Sequence, residues 1–507
     1  MYDEEISNFD GSYIPQRWIT VLILFLGFLV AFAMRVFLPL VITKMVVPSD
    51  DDESTSDECP DDNSTIRSNT RSTTNGTNLS VQLFDWDETT QGIILSSVHW
   101  TCLLTNILGD IVIDSCGSKH TLSISILFTS ILTLVTPISI SYGGYFALIS
   151  VRMLIGLVEG ATYPALSVLM ARWIPEDERA RAGAVVFAGM PFGFVLGMSM
   201  TGLILDYEQN DWPIAFYFFG CIGLVVLILH LLLCYNGPKE NPFISVAELE
   251  YLSKRIDYVT NEESPPTPWQ IILKSKPVWA IIILTMANSW AFTTVCYAMP
   301  KYLSNVLKFS VRDNGIVSSI PYVCMWLFGF ISSAIADPVV AKKQMEATTV
   351  RKIGAVFSSI GPGLLWLAIP YAGCNGFLVV LLLTMGMALS GCICCSLQVN
   401  TLDLGPNYVG ALTSLVTGVG GISCILSPYF TGIMTPNQTF SEFKVVFWIM
   451  LIALLVGSVV YVIFGSGEIQ PWNDPEFVMK AKQDRKEKST RKRSAYSTGT
   501  FKYIMYT

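Results

Sequence analysis

Residues 18–46 read WITVLILFLGFLVAFAMRVFLPLVITKMV, an apolar run whose only charges are Arg35, near its middle, and Lys44, near its end. A bilayer core about 30 Å thick needs roughly 20 apolar residues of α-helix, so this run predicts a membrane-spanning helix. A charge at that depth is costly and marks a candidate functional residue. The stretch therefore indicates a membrane protein with a functional interior.

The whole chain has the composition of such a protein. Of its 507 residues, 51% are hydrophobic and only 14% are charged, against about 25% charged in soluble domains. The formal net charge is -8, but the acidic segment 48–88, with eleven acids and two arginines, alone carries -9, and the rest of the chain is nearly neutral. This composition excludes a soluble globular enzyme, and the acidity of one loop says nothing about a substrate.

We expect twelve membrane-spanning helices, because apolar windows of suitable length recur along nearly the whole chain. A polar stretch from Asn236 to Lys276 separates six windows from six, which is typical of two homologous halves that meet at a midplane site. The windows are 18–46, 90–113, 121–140, 144–170, 182–206, 213–235, 278–303, 314–336, 351–371, 375–398, 408–432 and 443–466.

The predicted organisation is an all-α membrane protein in five segments. They are a cytoplasmic N-terminus (1–17), an N-terminal six-helix half (18–235) containing an extracytoplasmic loop (48–88), a central cytoplasmic loop (236–277), a C-terminal six-helix half (278–466) and a basic tail (467–507). The N-terminus is polar and acidic, so we expect no cleavable signal peptide. The cysteines show neither a disulfide framework nor a zinc pattern, and no cofactor is expected.

Lysine and arginine gather in the central loop, in the tail and after the second, fourth and eighth windows. Short cytoplasmic loops carry this positive excess, so both termini are predicted to be cytoplasmic. The opposite side then holds four glycosylation acceptors: Asn63, Asn75, Asn78 and Asn437. The basic tail is interpreted as a segment near anionic lipid, and no nucleic-acid partner is expected.

Three charges fall deep inside predicted helices: Arg35, Arg152 and Glu159. Each costs about 2.5–3.5 kcal/mol at the bilayer centre, which makes it a functional candidate. Arg152 and Glu159 are two helical turns apart and share a face. Two arginines would bind a carboxylate or phosphate through bidentate forks, and a buried glutamate would carry a proton. The alternative is that these charges only pair to hold the bundle together.

Other polar residues carry weaker signals. His99 is a second candidate proton site, or else a histidine satisfied by a neighbouring helix. Asn288 and Asn400 would bind substrate or brace helices.

The run from Gly109 to Lys119 joins the second and third windows, and its candidate residues are Gly109, Asp114, Gly117 and Lys119. Tight glycines and a charge clamp predict a loop that opens and closes between conformations. Its spacing resembles the signature loop of the major facilitator superfamily, with a weaker echo around Ala336 and Asp337.

Four runs of sequence are specific enough to suggest a family. They are RMLIGLVEGATYP (152–164), WIPEDERAR (173–181), NTLDLGP (400–406) and FGSGEIQPW (464–472). Together they resemble the solute-carrier anion/cation symporter family of sialin, the sodium/phosphate cotransporter-like proteins and the vesicular glutamate transporters, over residues 22–472. The pattern is most similar to insect members named for inorganic phosphate cotransport, a label that itself rests on similarity.

The resemblance implies a twelve-helix major facilitator fold and transport of an organic anion or phosphate coupled to protons or sodium. By position, Arg35 and Arg152 match the family's substrate-binding arginines, and Glu159 matches its proton-coupling carboxylate. Asn288 stands where vesicular glutamate members have an arginine, which argues against glutamate as the substrate.

Further departures concern the first two helices. Phe37 replaces an expected asparagine and Leu95 an expected histidine, while residues 101–102 and 108–110 depart from the usual Gly-Tyr and Pro-Gly-Gly. These positions lie near the expected cavity, so they predict a divergent substrate or reduced transport.

The sequence therefore predicts a secondary active transporter that moves a small organic anion or inorganic phosphate by proton- or sodium-coupled symport with alternating access. We expect it to act as a monomer in the bilayer of the plasma membrane or of a lysosomal or vesicular membrane. The alternative is a non-transporting receptor or scaffold that retains the fold, against which the three retained central charges argue. No enzymatic constellation is present.

Overall fold

The computed structural model describes residues 15–46, 83–207, 211–256, 267–474 and 477. The described residues form helices joined by turns and loops, together with a single parallel β-bridge between Val46 and Phe84. Three predicted glycosylation acceptors, Asn63, Asn75 and Asn78, and the basic residues of the tail lie outside the described residues. Their predicted placement therefore stays a prediction.

Six long helices make up the described N-terminal half. They are α1 Gln16–Met45, α2 Glu88–Cys116, α3 118–143, α4 144–173, α5 Glu176–Tyr207 and α6 Trp212–Leu233. Gly144 separates α3 from α4 because its backbone has φ 57° and ψ -142°, a left-handed conformation that a residue with a Cβ rarely adopts. One continuous helical stretch, Ser118–Trp173, is thus two spans.

Six more helices make up the C-terminal half. They are α7 Lys276–Val306, α8 Val311–Ala341, α9 Ala347–Leu367, α10 Gly376–Leu404, α11 Pro406–Met434 and α12 Phe440–Phe464. In the described chain, ten helical stretches are long and apolar enough to cross a bilayer. Counting Ser118–Trp173 as two and adding the more polar α2 gives the twelve helices that the sequence predicts.

The two halves meet mainly where α2 packs on α11 and α5 packs on α8. We call the end at which α1 ends and α2 begins the acidic-loop end, and the end at which α6 ends and α7 begins the central-loop end. Near the acidic-loop end, a Cβ on Gly202 of α5 would lie 2.9 Å from the Cα of Gly315 on α8. A Cβ on Gly92 of α2 would lie 2.6 Å from the carbonyl oxygen of Pro428 on α11. Glycine is required at these crossings, and the halves are closely packed at this end.

Ion pairs tie the central-loop end together within each half. The short helix Val246–Arg255 supplies Glu248, whose carboxylate accepts hydrogen bonds from the backbone N–H groups of Gln16 (2.9 Å) and Arg17 (3.1 Å) at the start of α1. A carboxylate there satisfies unpaired N–H groups and faces the positive end of the helix dipole. In the other half, Arg351 pairs with Asp403 at 2.8 Å.

Two local features differ from what the sequence suggested. Phe37 is buried in the N-terminal half and stacks on Phe219, with ring centroids 4.9 Å apart, so this departure fills the core. Cys374, between α9 and α10, is disulfide-bonded. Sequence reasoning missed this bond because a lone loop cysteine gives no spacing signal.

Candidate substrate site between the two halves

The predicted central charges of α1 and α4 come together in the structure. Arg35 Nε lies 2.9 Å from Glu159 Oε2, and Arg35 Nη2 donates to the same oxygen. The Glu159 side chain is only 2% exposed, whereas that of Arg35 is 17% exposed. The acid is thus held by one arginine in a region without bulk water, and it is within reach of any group that competes for that arginine.

A glycine face on α4 brings this pair close to α2. A Cβ on Gly156 would lie 2.6 Å from Thr101 Oγ1, and one on Gly160 would lie 2.7 Å from the carbonyl oxygen of Cys102. Thr101 Oγ1 also donates to the carbonyl of Met153 at 2.5 Å. This close approach follows from the small-residue spacing of α4, and it explains why two small residues at 101–102 fit.

Arg152 differs from Arg35 in its surroundings. The residue is 3% exposed, yet neither Nε nor Nη2 has a hydrogen-bond partner among the described residues. Glu159 Oε1 is likewise buried without one in the described part of the chain. Burying a charge without hydrogen bonds is expensive, and a guanidinium fork is suited to a carboxylate or phosphate. Arg152 thus has buried donors that its described neighbours do not use.

The C-terminal half reaches this cluster through Tyr297 of α7. Its hydroxyl is 3.0 Å from His99 Nε2 on α2, a hydrogen bond between the two halves. One turn along α2, Cys102 Sγ accepts from Arg35 Nη2 at 3.7 Å. His99 is therefore satisfied by a neighbouring helix and also lies beside the central charges. Sequence reasoning missed Tyr297, since a tyrosine in an apolar helix looks like ordinary packing.

The two predicted asparagines make hydrogen bonds within the C-terminal half, and their role in substrate binding stays a prediction. Asn288 Nδ2 donates to the carbonyl of Leu284 and to Ser359 Oγ, both at 3.0 Å, which joins α7 to α9. Asn288 precedes Tyr297 by nine residues, or about 13 Å along the helix axis. Asn400 Nδ2 donates to the carbonyl of Ser466 at 2.8 Å, at the central-loop end. Both contacts are bracing contacts within the C-terminal half.

The predicted conformational loop docks on α6. Gly117 has φ 81°, and the N–H of Lys119 donates to Asn236 Oδ1 at 3.1 Å. A Cβ on Gly109 would lie 3.0 Å from the ring of Pro164 in α4. Asp114 lies in α2, but its side chain is outside the described part, so its predicted clamp stays a prediction.

Two further predictions concern the surface and metals. Asn437 is exposed before α12 and donates from Nδ2 to Glu442 Oε1 at 3.0 Å, so its glycosylation remains a prediction. Among the residues that the structure describes, no group of three histidine, cysteine, aspartate or glutamate side chains is placed to hold a metal ion.

Comparison with known proteins gives consistent results. The family model of the Major Facilitator Superfamily matches residues 23–428. Human sialin is 33% identical over 459 residues, covering 90% of each chain. A Drosophila melanogaster protein named "Putative inorganic phosphate cotransporter" is 33% identical and covers 91% of this chain and 87% of its own. Human vesicular glutamate transporter 2 is 32% identical and covers 91% of this chain and 76% of its own.

Solved structures show the same fold at low sequence identity. A bacterial homologue of the human lysosomal transporter Spinster, in an inward-facing and unoccupied conformation, has a TM-score of 0.64 at 13% identity, covering 89% of this chain and 97% of that one. A D-xylose-proton symporter has a TM-score of 0.64 at 14% identity, covering 89% and 99%. The predicted all-α fold is confirmed, and the chain is a multi-pass membrane transporter rather than an enzyme. By its sequence and its fold, this chain belongs to the major facilitator superfamily, together with sialin and the vesicular glutamate transporters.

Proposed function

We propose that this protein is a proton-coupled symporter of a small anion, with Arg152 as the anion receptor and Glu159 as the proton carrier. One observation carries the proposal: the buried Arg152 fork has hydrogen-bond donors without described partners, directly beside the Arg35–Glu159 pair. A purely structural role for these charges would leave both arginines paired.

Charge balance explains how binding of a proton and binding of an anion would favour each other. Two guanidinium groups and one carboxylate give the cluster a formal charge of plus one. A proton on Glu159 would release Arg35 and raise the charge further, which the low-dielectric interior opposes. An anion bound at Arg152 offsets that charge and can also bind Arg35, which protonated Glu159 no longer holds. Protonation and anion binding thus stabilise one another, as symport requires.

The surroundings support an organic anion over a highly solvated one. Arg35 lies over the ring of Phe32, 5.2 Å from its centroid, and Phe32 stacks on Phe194. These rings offer apolar contact and few hydrogen bonds. Inorganic phosphate, which needs many donors, is the second candidate, favoured by the name of the Drosophila relative.

Several finer assignments accompany the proposal. Both termini face the cytoplasm, the protein works as a monomer, and the membrane is the plasma membrane or a lysosomal or vesicular one. The orientation of the termini rests on the distribution of lysine and arginine. The monomer rests on a candidate site that a single chain supplies.

Uptake into proteoliposomes tests the function. Radiolabelled sialic acid, glutamate, an aromatic carboxylate and phosphate are offered with a proton gradient or a sodium gradient imposed separately, and Arg152→Gln serves as the matched inactive control. We expect proton-driven uptake of a carboxylate. Uptake of phosphate driven by the sodium gradient would show that the coupling ion is sodium and the substrate is phosphate. No uptake under either gradient would favour a non-transporting scaffold.

A further inference from the structure

A second buried cation lies well away from the central cluster. Lys301 of α7 is 8% exposed, and its Nζ donates to Glu88 Oε2 and to Gln91 Oε1, both at 2.6 Å. Glu88 and Gln91 belong to α2. These bonds therefore cross from one half to the other at the acidic-loop end.

The acceptors are held in place by their own hydrogen bonds. Gln91 Nε2 donates to Glu88 Oε1 at 2.9 Å and to the carbonyl of Trp86 at 3.0 Å. A buried ammonium needs an anionic partner, because its desolvation is otherwise uncompensated. In this conformation, the carboxylate of Glu88 supplies that partner.

A small cavity between the two halves lies beside Lys301. Its walls include Thr294, Tyr297 and Lys301 from one face of α7, opposite Glu88 and Leu95 of α2. Tyr297 lies one turn, or about 6 Å, deeper than Lys301. Tyr297 also binds His99 beside the arginines, so one residue contacts both this cavity and the central cluster.

Alternating access separates the two halves at each end in turn. When the acidic-loop end opens, Glu88 moves away with α2 while Lys301 stays on α7. Lys301 then faces the opening without its carboxylate, on the acidic-loop side of Tyr297 and the central cluster. An entering anion can supply the missing partner.

We propose that Lys301 is a second anion-binding station at the acidic-loop end, and that Glu88 takes the anion's place there when this end is closed. The inference rests on the proposed anion transport. It adds a site that receives a carboxylate or phosphate before Arg152 does and that closes behind it.

Half-saturating concentrations measured from each side test the station. Uptake of radiolabelled sialic acid and of inorganic phosphate is compared in right-side-out and inside-out membrane vesicles. Lys301→Gln should raise the half-saturating concentration about tenfold from the acidic-loop side only, since a charge-assisted hydrogen bond is lost. Glu88→Gln should lower it, because the competing carboxylate is gone, and Lys301→Arg should stay near the wild type.

A simple latch makes a different prediction. If the pair only holds the halves shut, Lys301→Gln and Glu88→Gln shift the half-saturating concentration in the same direction, and that result would overturn the station. Loss of all uptake in Arg152→Gln, with no change in either outer variant, would leave the proposed function intact and remove this inference.

A second measurement does not depend on which anion is transported. Thr435, which lines the same cavity, is replaced by cysteine. The rate at which this cysteine reacts is measured with an anionic thiol reagent that carries a sulfonate and with a cationic one that carries a quaternary ammonium. The protein without the Thr435→Cys substitution gives the background rate. The anionic-to-cationic rate ratio should rise about threefold in Glu88→Gln and fall about threefold in Lys301→Gln, through the change of one nearby charge. A ratio that neither variant alters would show that Lys301 does not face the opening.

Discussion

The central cluster and the acidic-loop end bury the same kinds of charge in opposite ways. At the acidic-loop end, Lys301 has two acceptors and Glu88 is paired with it. In the centre, Glu159 is paired with Arg35, while Arg152 has Nε and Nη2 donors with no described partner. A paired cation must lose its carboxylate before it can bind an anion, whereas a buried cation without a partner is suited to bind one directly. The difference in pairing, more than the depth, distinguishes the two regions.

The largest effect is expected at the proton carrier. Glu159→Gln keeps the shape and a hydrogen bond to Arg35 but removes the titratable group. We expect it to abolish pH-driven accumulation while exchange of anion across the membrane is partly retained, measured in proteoliposomes with and without a proton gradient. Glu250→Gln, on the exposed central-loop helix, is the matched control. If Glu159→Gln still accumulates anion with the gradient, Glu159 is a structural charge and not the proton carrier.

The next effect concerns the shape of the receptor. Arg152→Lys keeps the positive charge but loses the planar fork, so the half-saturating anion concentration should rise by about 10- to 100-fold. Saturation curves for uptake measure it. An unchanged curve would place Arg152 among the structural charges and remove the contrast between the two regions.

A smaller effect is expected at the hydrogen bond between Tyr297 and His99, which joins the two halves beside the central cluster. Tyr297→Phe removes the hydroxyl that makes this bond. Anion uptake should fall about fivefold, because one hydrogen bond contributes about 1 kcal/mol. Tyr322→Phe, a buried tyrosine that packs against Phe194, is the control. Equal effects of the two variants would indicate lost packing rather than a lost contact between halves.

The smallest effect on transport is expected at Asn400. Asn400→Ala removes the bond to the carbonyl of Ser466 and should lower the free energy of unfolding by about 1 kcal/mol, with unchanged anion affinity. Thermal unfolding in detergent and saturation curves measure the two quantities. A large loss of affinity without a loss of stability would return Asn400 to the substrate site, as the sequence suggested.

The three central charges could be singled out from the sequence because buried charge is rare in apolar helices. Arg35, Arg152 and Glu159 stand out from their neighbours, and the structure brings two of them into direct contact. Asn288 and Asn400 were weaker candidates, since an amide in a helix serves bracing and binding equally well. Tyr297 and Lys301 gave no signal: a tyrosine or a lysine near the end of a helix is common at membrane interfaces.

Local hydropathy is enough to predict membrane-spanning helices and the charges that lie inside them, because each segment carries that signal alone. It does not show which of those charges pair, that Phe37 fills the core, or that Lys301 meets Glu88 across the halves. Pairing depends on how helices far apart in the chain cross, and the packing of glycine faces such as Gly156 and Gly202 sets that geometry.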